Sequence, residues 1–301
     1  MLAPAVRRPA STRRIASAGG ALLVVALLPA GAVAQAVATP GAPAVGAPAV
    51  GAPGVGDPRV GYDYVFRISQ QTADERGRTR REPAFVARAR HRGSLVRVDF
   101  LPGTEGSNTP GDWYLTGDGG RTMTLVDERR RTHFLLDVAA VREQVGDEKG
   151  LAVRVDDLAV SVRPEGPCGA VAGWATTCVT VDRRYTVRTR YLLLRHDTRV
   201  VERVRYWVAP ALADLAAPWG TFFGSRTDLL VRRDSGFVAR ERDVARALGP
   251  GGVLRMEVTQ TEANGGERAR VTRVIEASDL RRAAHDDRLF EVPPGYRLVR
   301  R

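Results

Sequence analysis

Two cysteines ten positions apart, followed by two strand-like runs, constrain this chain more than any other feature. The stretch from Gly166 to Pro210 opens GPCGAVAGWATTC and closes RVVERVRYWVAP, with Gly173 and Trp174 between Cys168 and Cys178. These are the only two cysteines in 301 residues. In an exported protein such a pair reads as one disulfide closing a short loop. A metal site would need more ligands than two thiolates, and no histidine lies near them in sequence. The runs Tyr185–Leu194 and Arg199–Val208 are expected to pair across a turn at Arg195-His196-Asp197-Thr198. In the second run Val204, Tyr206 and Val208 share one face and Arg203, Arg205 and Trp207 the other. Trp207 then either stacks on the arginine row or sits as a half-buried rim aromatic.

The export premise comes from the N-terminus. Arg7, Arg8, Arg13 and Arg14 form a positive n-region, Ile15 to Leu28 a short apolar region, and Ala32-Val33-Ala34 a cleavage signal that leaves Gln35 as the first mature residue. Residues 1–34 are thus expected to be a signal peptide, with Sec export and, through Thr12-Arg13-Arg14-Ile15, twin-arginine export as the two routes. No other apolar run reaches transmembrane length. Residues 35–59 carry GAPAV repeats from Gly41 to Val55, where regularly spaced Pro and Gly prevent helix and sheet, so this segment is expected to be a tether. Residues 60–301 are expected to form a single domain.

That domain reads as mainly β. Gly61–Ile68, Phe85–Arg90 and Ser94–Phe100 alternate or carry β-branched and aromatic residues, whereas Thr72–Glu82 and Pro102–Gly111 read as loops. Hairpins are expected from Asp112–Thr116 to Arg121–Val126 through Gly117-Asp118-Gly119-Gly120, and on to Thr132–Leu136. Asp137 is placed to cap a helix over Val138–Val145, and Leu151–Val162 is readable as helix or strand. Pro210–Ala217 suits a short helix, and Phe237–Leu248 an amphipathic one with Phe237, Val244 and Leu248 on one face, stopped at Gly249. Val253–Thr261 and Glu267–Ala277 form a last hairpin about Asn264-Gly265-Gly266, and Ser278 or Asp279 is placed to cap a helix over Leu280–His285.

Catalytic signatures are missing. His91, His133, His196 and His285 make no zinc-type spacing, no nucleophile elbow occurs, and Asp156-Asp157 alone is too few oxygens for a cation. No catalytic, cofactor-binding or metal-ligating residue is therefore assigned, and no enzyme activity or cofactor is expected. The net charge of +12 is carried almost wholly by arginine, Lys149 being the single lysine. Acidic residues are interleaved throughout, which disfavours nucleic acid but leaves anionic envelope polymers as partners.

Three groups of residues carry a resemblance. They are Leu95–Asp99 with the hairpins Met123–Asp127 and Thr132–Asp137; Gly173-Trp174 beside Cys178 with Tyr206–Pro210; and the closing Leu289-Phe290-Glu291-Val292-Pro293-Pro294-Gly295-Tyr296. Over about Gly61 to Leu298 the chain resembles a secreted bacterial domain family of unknown function related to the LolA-like (LolA/LppX-like) outer-membrane lipoprotein carriers. The resemblance implies a strongly curved antiparallel sheet, an incomplete barrel whose concave face is covered by a few short helices. It implies a non-catalytic protein of the periplasm or cell envelope that binds a lipid, lipoprotein acyl chain or other apolar ligand. Trp113, Trp207, Trp219, Phe222 and Phe223 are the aromatic candidates for lining or rimming such a cavity. The other expectation is an interaction protein with a closed interior and an arginine-rich contact surface.

Overall fold

The computed structural model describes residues 59–105, 109–118, 120, 122–137, 140, 151–191, 194–215, 235–264 and 267–299. The expected signal peptide, the Ala34–Gln35 cleavage site, the tether and the Trp219–Phe223 run lie outside the described residues. So does most of the helix expected after Asp137, although the Asp137 carboxylate accepts the Ala140 backbone N–H at 2.9 Å, as a cap would.

Among the described residues, thirteen strands form one sheet that does not close on itself. In chain order they are β1 (Val60–Ala73), β2 (Thr79–Arg81), β3 (Phe85–Arg92), β4 (Leu95–Phe100), β5 (Trp113–Thr116), β6 (Thr122–Asp127) and β7 (Thr132–Asp137). Then follow β8 (Leu151–Val171), β9 (Trp174–Tyr191), β10 (Leu194–Ala209), β11 (Gly252–Asn264), β12 (Glu267–Ala284) and β13 (Arg297–Leu298). The spatial order is β13-β7-β6-β5-β4-β3-β1-β12-β11-β10-β9-β8, with β2 added to β1. Every named strand pair is antiparallel except β13 on β7. The first and last long strands therefore meet in the middle: β1 pairs with β12 along almost its whole length. One α-helix, α1 (Ser235–Leu248), is described.

Paired residues share a face, so the register sorts the side chains. One row runs Tyr64, Ala89, Val98, Tyr114, Leu125 and Phe134 from β1 to β7. A second, on the same face, runs Ile68, Ile275, Met256, Tyr206 and Val179 from β1 to β9. The largest cluster of buried residues includes Tyr64, Phe66, Val98, Tyr114 and Ile275 from this face. The face expected for α1 is the one used. Phe237 packs with Tyr185, Val187 and Val200, and Val244 with Val179 and Val181, with Leu248 beside it. Gly61 is held so close to β3 that a Cβ would stand 1.9 Å from the His91 carbonyl oxygen.

Four expectations change where tertiary pairing overrides local signals. The Arg195–Thr198 turn is strand: Leu194 pairs with Tyr191 and Thr198 with Val187, so only positions 192 and 193 separate β9 from β10. That register places Val200 opposite Tyr185 and Val204 opposite Val181, all of them buried. The helix expected at Leu280–His285 is instead the end of β12, because Arg281–Ala284 pair with Val60–Asp63. Asp279 supplies the irregularity there, at φ 54°. The Thr72–Glu82 loop is shorter than expected, since β1 extends to Ala73 and β2 pairs with it, leaving residues 74–78 as the turn between them. Finally, the Pro210 helix is a single 3-10 turn, Pro210–Leu212, whose Leu212 is fully buried. The ambiguous Leu151–Val162 segment is strand throughout and continues to Val171.

Candidate functional site

The apolar face is lined by a file of rings. Tyr64 and Phe66 centroids are 6.4 Å apart, Phe66 and Phe85 5.6 Å, Phe85 and Phe100 5.4 Å, and Phe100 and Tyr114 6.0 Å. These spacings are those of tilted and edge-on contacts. The apolar character does not stop where full burial stops. Leu125, Phe134 and Leu136 continue the same face across β6 and β7 and are only half-buried, as is Phe85 at the other rim.

The disulfide forms as expected: Cys168 on β8 and Cys178 on β9 are bonded, with Cα atoms 5.8 Å apart. It spans a hairpin whose two-residue turn is Ala172-Gly173, both at positive φ (49° and 82°), as a type I′ turn requires. Trp207 lies directly opposite Cys178 across the β9–β10 pair, on the face away from α1. It is 9% exposed, with the Arg205 guanidinium 4.8 Å and the Arg255 guanidinium 5.0 Å from its rings. The cation stack is thus present, and the tryptophan is buried.

Trp113 goes elsewhere. It pairs with Val126 on the face opposite Tyr114 and packs with Leu115 and Val126 beneath Val292 and Tyr296 of the C-terminal segment. Its indole N–H donates to Glu128 Oε2 at 2.9 Å, and the Tyr296 hydroxyl donates to Glu128 Oε1 at 2.6 Å. Those two hydrogen bonds, Tyr296 first, hold the Glu128 carboxyl below its usual value. The Arg97 guanidinium covers the indole at 3.9 Å. The five aromatic candidates therefore do not converge among the described residues: Trp113 and Trp207 belong to separate clusters, and Trp219, Phe222 and Phe223 lie outside.

Two buried polar groups escaped the sequence reading. Under α1, Arg183 is 5% exposed and donates to Glu202 at 2.7 Å and to Glu241 of the helix at 2.9 Å. Alternation signals that position 183 faces inward; the partner on α1, 58 residues away, has no local signal. At the start of β1, Tyr62 donates to Asp214 and stacks on His91 at 6.5 Å, while His285 Nε2 lies 3.1 Å from the Tyr62 carbonyl oxygen. Burial first, then the Asp214 carboxylate, pushes the Tyr62 phenol up to about 12. Burial pulls His91 down to about 4, and its Nε2 makes no hydrogen bond among the described residues. Burial alone would raise neighbouring Asp63; the Arg88 hydrogen bond and charge outweigh it, with Arg281 adding to them, and hold it below its usual value.

A hollow of about 600 Å³ at the far ends of the long strands is lined mostly by polar residues. Asp74, Arg76, Arg78, Glu262, Asn264 and Arg268 are among the residues lining it, and Asn264 bonds His196 across 2.7 Å. Among the described residues no cluster of His, Cys, Asp and Glu is arranged to hold a metal, and no helix is long and apolar enough to cross a membrane. Neither the models of known families nor the curated proteins contain a match to this chain.

Proposed function

We propose that the chain is an exported, non-catalytic protein of the periplasm or cell envelope that carries a lipid or other apolar molecule. In this reading the sheet is an incomplete, strongly curved barrel, α1 covers part of its concave face, and the ligand lies on the ring-lined remainder. The observation that carries it is the half-buried strip Phe85, Leu125, Phe134 and Leu136, which continues the aromatic face beyond the filled core. Leaving such a strip against water is unfavourable by roughly 25 cal/mol per Å², so a molecule that covers it gains that free energy. The LolA-like resemblance points the same way, and the disulfide suits an oxidising compartment.

Native mass spectrometry of the chain from Gln35, produced in a bacterial periplasm and coupled to lipid extraction, tests this directly. A co-purifying lipid near one per chain is expected, lost in Phe134→Asp. A clean apo mass that persists after incubation with lipid mixtures would overturn the reading.

A further inference from the structure

The sheet face opposite α1 carries an interaction surface of a different kind. On β8 to β12 this face presents, row by row, Asp156, Thr186, Arg199, Ala263 and Arg268, then Ala159, Arg184, Val201, Thr261 and Arg270. Three of the carboxylates on this face are already engaged. Asp156 pairs with Arg154 at 2.7 Å and Arg188 at 3.0 Å, Asp182 with Arg203 at 2.6 Å, and Asp197 lies 3.8 Å from both Arg188 and Arg195. Five arginines remain, Arg184, Arg190, Arg199, Arg268 and Arg270, all exposed and none with a carboxylate partner among the described residues. Arg190 even faces Arg195 directly across the β9–β10 pair, an arrangement that like charges disfavour unless an anion relieves it.

We infer that this face docks on an anionic lipid surface, its arginines meeting headgroup phosphates. Two features favour a lipid surface over a linear polyanion. The five guanidinium groups spring from β9, β10 and β12 rather than from one strand, and neighbouring strands are about 4.8 Å apart, so the charges form a two-dimensional array. Val201, 45% exposed, stands in the row between Arg184 and Arg270, an apolar contact that phosphate-bearing lipid accepts and a hydrated polymer does not. Trp207, under the same face, is buried and takes no part. The surface is separate from the ring-lined face and functions with or without a cargo there.

Vesicle co-sedimentation of the chain from Gln35 tests the inference, with phosphatidylcholine alone against phosphatidylcholine plus phosphatidylglycerol, at low salt and at about 0.5 M salt. Binding to the anionic vesicles alone is expected, abolished by salt, and weakened roughly a hundredfold in Arg184→Gln/Arg199→Gln/Arg270→Gln. Arg240→Gln/Arg242→Gln/Arg246→Gln, an equal charge loss on α1 across the sheet, should bind as the parent does. Equal binding to neutral vesicles, binding that salt leaves intact, no binding, or equal loss in both variants would overturn it. So would a soluble polyphosphate bound as tightly as the vesicles. Should the triple variant lose its circular dichroism signature, Val201→Glu replaces it, and the salt titration of the parent protein decides independently. Cargo mass and vesicle binding are separate readouts, so either proposal can fail alone.

Discussion

The two halves of the sheet solve one problem in opposite ways. From β3 to β7 the strands are four to eight residues long and each face carries a cluster of buried apolar side chains. One face carries the ring file; the other carries Trp113 under the C-terminal segment. From β8 to β12 the strands run 13 to 21 residues; α1 packs on β8, β9 and β10, and the opposite face, outside the buried patch around Cys178 and Trp207, is left to water and ion pairs. The difference teaches that what covers a strand, rather than its own β-propensity, decides its composition. Stability should therefore be concentrated in side-chain packing in the short-strand half and in cross-links and buried ion pairs in the long-strand half.

Trp113→Ala should produce the largest loss, about 3–5 kcal/mol, since it empties a site that is 2% exposed and strips a donor from Glu128. Denaturant titration measures it; Val201→Ala, on the open face of the other half, serves as the reference and should cost under about 0.5 kcal/mol. Equal costs would erase the contrast between the halves.

Next comes an acid effect at the seam where β1 meets both halves. His91 is 2% exposed and held at about 4, whereas an unfolded histidine titrates near 6.5. Asp214 raises it and His285 lowers it, but burial dominates. Between those two values the unfolded chain binds a proton that the folded chain refuses, so stability falls as pH drops through 6.5 and levels off below about 4. The full effect is about 3 kcal/mol. Unfolding free energies at pH 7 and pH 5 should differ by a smaller share of this, and His91→Gln should shrink that difference. An unchanged pH dependence in the variant would remove His91 from the account.

How much of this was legible follows from the range of each signal. Local alternation and turn chemistry reveal the strands from Gly61 to Leu136 and the final hairpin, and the helix face Phe237, Val244 and Leu248 is readable from its spacing. Two cysteines ten positions apart, with no third to compete, suffice to suggest the Cys168–Cys178 bond. What stayed hidden depends on partners distant in sequence. Arg281–Ala284 become strand only because β1, more than two hundred residues earlier, pairs with them. Arg195–Thr198 read as a turn by composition, yet the register that buries Val200 and Val204 keeps them in β10. The candidate site fared less well, because aromatic side chains signal burial without saying under what: Trp113 lies beneath Tyr296, and Trp207 beside the disulfide.

The disulfide tests the long-strand half. It closes a loop with a sequence separation of 10, so its removal in Cys168→Ser/Cys178→Ser should cost about 2–3 kcal/mol through the unfolded chain. Thermal unfolding should shift down by roughly 2–4 °C per kcal/mol. Hydrogen exchange should quicken at Val171–Ala175 and leave β4–β6 unchanged; uniform quickening would mean that the two halves unfold as one unit.

The smallest effect sharpens the contrast at the opposite end. Tyr296→Phe keeps the ring over Trp113 and deletes only the hydroxyl that donates to Glu128. Because the site is exposed, the loss should be about 0.5–1.5 kcal/mol. The Glu128 carboxyl should also rise towards its ordinary value, as the first of its two stabilising hydrogen bonds is gone. Its titration, followed by carboxyl NMR shifts, separates this from a packing change, which would leave the carboxyl where it was. β13 is only two residues long and adds to the edge of β7. If the Tyr296 hydroxyl anchors that strand, exchange at Arg297 and Val299 should quicken in the variant while β9 and β10 keep their protection. Unaltered exchange at those two amides would show that Val292 and the ring alone hold the cover over the short-strand half.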